Sequence, residues 1–268
     1  MFPGALMKRK TAVVSGSEWQ TDNRVFLLDF ARADRLITSN GRFNRIDEAN
    51  GDTTRYLSQG DSAYAPAATT LFGRVFADYR NRDRDLGFAG SAQISDDFRD
   101  LYGPATYTCV YIPPPSTPTH DSPIWSLSGY RSDLNQLSLL HTPSDDLYIP
   151  RQDSNTCYDL YVGRPSGFAW NPNATYVISV ILTADGSARV RVNGQEWTVG
   201  TPTDYAVVAP PGAYATDCSF ELGYQNNYYG TNSGEGLVGM VAKYNTILTA
   251  TQLDALNTVR QSRYPSSG

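Results

Sequence analysis

Hydrophobic and polar side chains alternate along most of this chain in short runs. From Val25 onward the runs are rich in β-branched and aromatic residues, and Gly, Pro, Asn or Asp interrupts them about every eight to twelve residues. This spacing is typical of β-strands in a sandwich or barrel. The pattern predicts strands at 24–30, 41–46, 105–112, 123–129, 135–142, 157–163, 175–183, 188–193, 195–200, 218–224 and 236–245. A single sheet seldom holds so many strands, so we expect an all-β fold of two stacked antiparallel sheets.

The clearest local signal is the hairpin in "SARVRVNGQEWTVG", residues 187–200. Asn193-Gly194 separates two alternating runs, and both residues tolerate the positive φ angles of a type I′ turn. A second turn at residues 185–186 extends the prediction to a three-stranded meander over 175–199. Val190 and Val192 should then face the core. Arg189 and Arg191 should lie on the opposite, open sheet face, where they are candidate contacts for a partner.

One short helix is predicted near the carboxyl terminus. Thr249 and Gln252 have the spacing of a capping box, and Leu253, Leu256 and Val259 follow at helical intervals. The proline-rich segment 111–123 cannot form a strand interior and is expected to be a stiff, extended loop.

Length and charge suggest one domain with a distinct amino-terminal arm. The 268 residues carry a net charge of −5, which argues against nucleic acid as a partner. The first 45 residues nevertheless hold eight basic and four acidic side chains. We expect an anchoring arm at 1–21, a sandwich at 22–264 and a tail at 265–268. The arm either docks on an acidic partner or is simply solvated, and its candidate contacts are Lys8, Arg9, Lys10 and Trp19.

Other compositional features exclude several classes of protein. No run of about 18 to 20 apolar residues is present, so no membrane span is expected, and the first residues lack the order of charges typical of a secretory signal. Cys109, Cys157 and Cys218 are widely spaced and odd in number, so we expect reduced, buried thiols. His120 and His141 have no companion ligands in sequence, so neither a zinc site nor a catalytic triad is predicted.

The segment "YQNNYYGTNSGEG", residues 224–236, is a candidate binding loop. It combines flat amphipathic rings with amide donors and acceptors, which suit either sugar rings or a protein partner. A long polar connection without a ligand is the alternative. The candidate contacts are Tyr224, Gln225, Asn226, Asn227, Tyr228, Tyr229 and Asn232.

The second half of the chain resembles the laminin-G-like, concanavalin A-type lectin and glucanase family. The resemblance rests on the "DG" turn at 185–186, the "VNG" turn at 192–194, "LG" at 222–223, "YN" at 244–245 and "LT" at 248–249, in that order. It covers about residues 100 to 264 and implies a jelly-roll β-sandwich. The opening "FLLDFARADRLITSNGRFNRIDEANG" is similar to openings of bacteriophage virion proteins that carry this domain.

The resemblance also bears on metal binding and catalysis. It implies that calcium could bind at a sandwich edge, with Asp145 and Asp146 as the main candidates and Asp133 and Asp153 as others; no other cofactor is expected. Glucanases of this fold carry a Glu-x-Asp-x-x-Glu run, which is absent here, and adjacent Asp145 and Asp146 cannot replace it. A glycoside hydrolase is therefore disfavoured.

Together these features predict a non-enzymatic structural protein of a bacteriophage virion. It would be a capsid decoration, head-fibre or tail component, attached through its arm to major capsid or tail protein and assembled as a homo-oligomer or lattice. Binding of host glycans is compatible with this role. The alternative is a free-standing carbohydrate-binding module that recognises cell-surface polysaccharide.

Overall fold

The computed structural model describes residues 24–49, 51–59, 65–80, 88–90, 104–128, 137–153, 156–183, 187–200, 203–206, 219–227 and 230–266. The predicted arm at 1–21 lies outside these ranges. The strands of the first half are β1 (Arg24–Asp29), β2 (Leu36–Ser39), β3 (Arg42–Asp47), β4 (Tyr56–Ser58), β5 (Ala67–Leu71), β6 (Arg74–Asp78), β7 (Phe88–Gly90), β8 (Ala105–Ile112), β9 (Ser122–Ser128) and β10 (Leu137–His141). The remaining elements are β11 (Leu147–Asp153), β12 (Thr156–Gly163), β13 (Tyr176–Leu182), β14 (Ala188–Val192), β15 (Gln195–Val199), β16 (Thr203–Ala206), β17 (Ser219–Leu222), β18 (Tyr224–Asn227), β19 (Gly230–Ser233), β20 (Leu237–Tyr244) and helix α1 (Ala250–Arg263).

The strands form two antiparallel layers that join at their edges. In the first sheet β1 and β6 flank one side of β20, and β8, β13, β14 and β15 follow on the other side. In the second sheet the order is β12, β11, β10, β9, β17, β7, β4 and β3, with β16 beside β12. The predicted all-β sandwich is confirmed.

The main core lies between the two sheets. Phe26 of β1 meets Phe220 of β17 with ring centroids 6.0 Å apart, and Tyr107 of β8 stacks on Trp125 of β9 at 5.3 Å. Cys109 lies in the same core and has no disulfide partner. Since the rings come from opposite sheets, their contacts hold the layers together.

Strands β13, β14 and β15 pair in order as the predicted meander requires, and the predicted turn at 185–186 lies outside the described residues. Asn193 and Gly194 have φ angles of 48° and 83°, as a type I′ turn requires. The Asn193 side chain accepts a hydrogen bond from the Val177 amide at 2.8 Å, which ties the turn to β13. Val190 and Val192 are buried in the core.

Helix α1 covers the outer face of the first sheet. Thr249 and Gln252 make both hydrogen bonds of the predicted capping box, and Leu253 and Leu256 pack in a second apolar cluster with Val177 and other sheet residues. This helix is too short to be a membrane span, and the part of the chain that the structure describes contains no helix that could cross a membrane.

Candidate functional site

Four segments meet at one end of the sandwich. They are the proline-rich loop after β8, the turn at 142–146 between β10 and β11, the loop after β12, and residues 233–236 before β20. The predicted loop conformation of the proline-rich segment holds for residues 113–121. A cleft of about 240 Å³ opens here, lined by residues 114–117, His141, Asp145, Trp170 and Pro172.

An aromatic cluster forms the floor of this cleft. The Trp170 ring lies 4.6 Å from Tyr176, 4.9 Å from His141 and 5.4 Å from Trp197, measured between centroids. The Trp170 indole nitrogen donates to the Asp145 carbonyl at 2.8 Å. These contacts fix the loop after β12 against the turn at 142–146.

His141 is buried in the cleft wall, with 1% of its surface exposed. Its Nδ1 lies 3.1 Å from the Tyr111 hydroxyl, and its Nε2 lies 3.5 Å from Asp145 Oδ1. Burial raises the pKa of Tyr111 well above its usual value, so that hydroxyl stays protonated and donates to Nδ1. Burial also lowers the pKa of His141 to about 4, although the charges of Asp145, Glu235 and Asp146 oppose this change. The imidazole is therefore neutral at pH 7, with its proton on Nε2.

The predicted calcium ligands are engaged by protein donors. Asp145 accepts from Arg164 Nη1 at 3.2 Å, and Asp146 accepts from the Arg164 amide at 3.1 Å and from Ser144 Oγ at 3.3 Å. Among the described side chains, no group of three or more His, Cys, Asp or Glu is placed to hold a metal ion. The predicted calcium site stays a prediction. Asp133 lies outside the described residues.

A pair of stacked tyrosines lies on the outer face of the second sheet. Tyr148 of β11 and Tyr161 of β12 are opposite each other in register, with ring centroids 4.8 Å apart and planes inclined by 16°. Their neighbours Ile149 and Leu160 point into the core, so the tyrosines point away from it. Tyr161 is 57% exposed.

Two carboxylates accompany these rings. The Tyr148 hydroxyl donates to Asp159 Oδ1 at 2.5 Å. Burial raises the pKa of Tyr161, and the charges of Asp159 and Asp121 raise it further, so both carboxylates act on this ring. The pKa of Asp121 is itself raised by burial, and His120 opposes this change. We call Tyr148, Tyr161, Asp159 and Asp121 the tyrosine ledge.

The predicted binding loop forms the hairpin of β18 and β19. Residues 225–227 and 232 are paired in this small sheet, and Tyr228 and Tyr229 lie outside the described residues. Tyr224 is only 6% exposed, and its carbonyl accepts from Ser126 Oγ at 2.6 Å. The Tyr224 ring therefore offers little surface to a ligand.

The two predicted sheet-face arginines make different contacts. Arg189 forms a two-pronged ion pair with Glu196 of the neighbouring strand, at 2.6 and 2.8 Å, and remains exposed. Arg191 donates to Asp254 of helix α1 at 2.8 Å. The sheet face at Arg191 is therefore not open as expected, because the helix reaches it. The anchoring residues Lys8, Arg9, Lys10 and Trp19 lie outside the described residues.

The tyrosine ledge is not among the sites that the sequence pattern predicts. Its signal is the alternation in "YDLYVG", where Leu160 and Val162 point inward and Asp159 and Tyr161 point outward. With 18 tyrosines in the chain, residue type alone does not single out Tyr161. The pairing of β12 with β11 had to be known first.

No protein-family model and no curated protein sequence matches this chain. Its fold is similar to that of Trypanosoma rangeli sialidase in complex with 2,3-difluoro-KDN (TM-score 0.56, 14% identity, 90% of this chain and 33% of that chain). A mutant of that sialidase displaying trans-sialidase activity gives the same TM-score and identity over 93% and 34% of the two chains. The binding domain of botulinum neurotoxin DC in complex with SialylT aligns at a TM-score of 0.51 and 10% identity over 89% and 52%. This chain spans only a third of the sialidase and half of the neurotoxin chain, and these likenesses establish the β-sandwich fold.

Proposed function

We propose that this protein is a carbohydrate-binding β-sandwich and that the tyrosine ledge is its sugar-contacting surface. The observation that carries the proposal is the stacked pair of Tyr148 and Tyr161, held on a rigid sheet with one ring mostly exposed. An exposed aromatic face next to fixed polar groups is a surface that a sugar can use.

The chemistry of the ledge matches the two sides of a sugar ring. The flat face of Tyr161 can pack against the apolar C–H face of a pyranose, while the carboxylates of Asp159 and Asp121 can accept hydrogen bonds from its hydroxyl groups. The hydrogen bond from Tyr148 to Asp159 fixes the acceptor in advance, so little side-chain entropy is lost on binding.

The comparisons are compatible with this proposal. The similar folds include structures whose bound molecules are sugar derivatives, namely 2,3-difluoro-KDN on the sialidase and SialylT on the neurotoxin binding domain. A binding role is favoured over hydrolysis because Asp145 is the one carboxylate among the described residues that line the cleft, and it already pairs with Arg164. Two-carboxylate hydrolysis requires a second carboxylate across the scissile bond.

A glycan array followed by calorimetry tests the proposal. Wild-type protein should bind at least one class of saccharide, and Tyr161→Ala should weaken that binding about tenfold, as expected for loss of one aromatic contact. Ile37→Ala is the matched control, because Ile37 is 53% exposed on β2 and outside the ledge. Unchanged affinity in Tyr161→Ala would refute the ledge as the site. If binding is lost only when Tyr228 and Tyr229 are replaced by alanine, the sugar-binding site lies in the predicted loop instead.

A structural role on a bacteriophage virion is the second proposal, and sequence supports it. The basic first 45 residues contrast with a remainder that has nine more acidic than basic side chains. Such a chain could attach through its arm to capsid or tail protein and present the ledge outward, as part of a homo-oligomer or lattice. Light scattering of full-length protein and of protein lacking residues 1–21, each mixed with virion shells, tests this role. Equal behaviour of the two forms would refute it.

A further inference from the structure

The two ionisable side chains that accompany the tyrosines of the ledge, Asp159 and Asp121, are both acidic. The Tyr148 hydroxyl donates to Asp159 Oδ1 at 2.5 Å, which holds this carboxylate on the same sheet face as Tyr161, and the charges of Asp159 and Asp121 both raise the pKa of Tyr161. Among the side chains that the structure describes, no lysine or arginine forms an ion pair with either carboxylate. A ligand that packs on Tyr161 therefore lies beside the carboxylate of Asp159.

Two basic groups that lie close to the ledge along the chain, Arg164 and His120, have partners elsewhere. Arg164 donates through Nη1 to Asp145 at 3.2 Å and lies within 3.5 Å of the Phe168 carbonyl. His120, next to Asp121, lies 3.0 Å from Glu235, and its Nε2 lies 2.9 Å from the Ser233 carbonyl. Both groups make their hydrogen bonds and ion pairs with residues of the loop end, and neither donates to Asp159.

We infer that the tyrosine ledge binds uncharged saccharides and discriminates against saccharides that carry a carboxylate. Carboxylate oxygens of Asp159 and Asp121 accept hydrogen bonds from hydroxyl groups, but they repel a sialic or uronic acid carboxylate, which has no proton to donate. Like charges held close together are a common means of rejecting a wrong ligand. This inference rests on the proposed function and adds the class of sugar.

The carboxylates of the ledge favour a different class of sugar from the ligands of the similar structures. The sialidase and the neurotoxin domain were found in complex with 2,3-difluoro-KDN and SialylT, yet those chains are 14% and 10% identical to this one. A shared sandwich fixes the backbone layers, whereas the charge of a site depends on a few side chains. Here those side chains are Asp159 and Asp121.

Paired glycans test the selectivity. Each neutral oligosaccharide bound by the wild-type protein is compared by calorimetry with its counterpart carrying a terminal sialic or uronic acid, at about 0.05 M and about 1 M salt. We expect the neutral member to bind about tenfold more tightly at low salt, and the ratio to shrink at high salt because the repulsion is screened. Asp121→Asn and Asp159→Asn should also shrink the ratio, since asparagine keeps an acceptor oxygen without the charge. Asp34→Asn, an exposed carboxyl paired with Arg32, is the control.

The outcomes separate this inference from the proposed function. Binding that favours the sialylated or uronic member, or a ratio unchanged in both asparagine variants, overturns the inference while saccharide binding stands. Absence of binding to every glycan overturns the proposed function and the inference with it. If wild-type protein prefers the neutral saccharide and the asparagine variants lose this preference, the proposed function and the inference are both supported.

Discussion

Replacing His141 with asparagine should flatten the acid side of the stability profile. His141 is buried against Tyr111, Asp145 and Trp170, and its pKa in the folded protein is about 4. In the unfolded chain an imidazole titrates near its ordinary value of about 6.5. As the pH falls from 6.5 to 4, the unfolded state therefore binds a proton that the folded state does not, and stability is lost over this window.

The size of the effect follows from the two pKa values. Each tenfold difference in proton affinity is worth about 1.4 kcal/mol, so the wild-type protein should lose about 3 kcal/mol through this group between pH 7 and pH 4. Small domains have stabilities of about 5 to 15 kcal/mol, so the loss is a large fraction of the total. The His141→Asn substitution should itself lower the free energy of unfolding by about 1 to 3 kcal/mol at pH 7, because the packing of the imidazole ring and its hydrogen bond to Tyr111 are lost.

Urea unfolding at pH values from 4 to 7.5 gives the free energy of unfolding as a function of pH, and the slopes of wild type and His141→Asn are then compared. Carboxylates titrate in both proteins, so their contribution cancels in the comparison. His120→Asn is the control, since the His120 side chain is 37% exposed. The chain has only two histidines, so NMR titration of their ring protons gives the folded pKa directly. Parallel slopes, or a His141 ring that titrates near pH 6.5 in the folded protein, would refute the reasoning.

Two further predictions concern the backbone. Gly223→Ala should lower the free energy of unfolding by more than about 2 kcal/mol, because the residue has a φ of 66° and an added Cβ would lie 2.3 Å from the Tyr79 ring. Gly73 has a similar φ but open space around it, so Gly73→Ala should lower the free energy of urea unfolding by less. Thr249→Ala should lower stability by about 1 kcal/mol through loss of the helix cap, whereas exposed Thr251→Ala should have little effect on the melting temperature. Equal losses within either pair would contradict the explanation given for it.

Local sequence signals located most of the strands. All eleven predicted strands are present, with ends within two residues of those expected, because alternation and Asn-Gly or Gly breaks act over a few neighbouring residues. The described chain contains nine more strands. Several of these are short and polar, such as Tyr56–Ser58 and Gly230–Ser233, and they are strands only because a neighbour pairs with them.

Strand β11 shows why one longer strand was missed. Pro150 lies in its middle, where proline is expected to end a strand. In the structure, residues 149 and 150 have no partner on β10, while pairing with β12 runs unbroken from Leu147 to Asp153. A proline without an amide hydrogen is tolerated at this interruption. Since β11 carries Tyr148, the ledge could not be assembled from sequence.

The sequence by itself determined the class of fold, the meander with its Asn193-Gly194 turn, and the capped helix, since each depends on residues that are near one another along the chain. Tertiary structure alone decided which groups meet. It stacked Tyr148 on Tyr161, buried His141 between Tyr111 and Asp145, and brought Asp254 of the helix to Arg191. Such contacts depend on sheet order and on the packing of distant loops, and no local pattern encodes either.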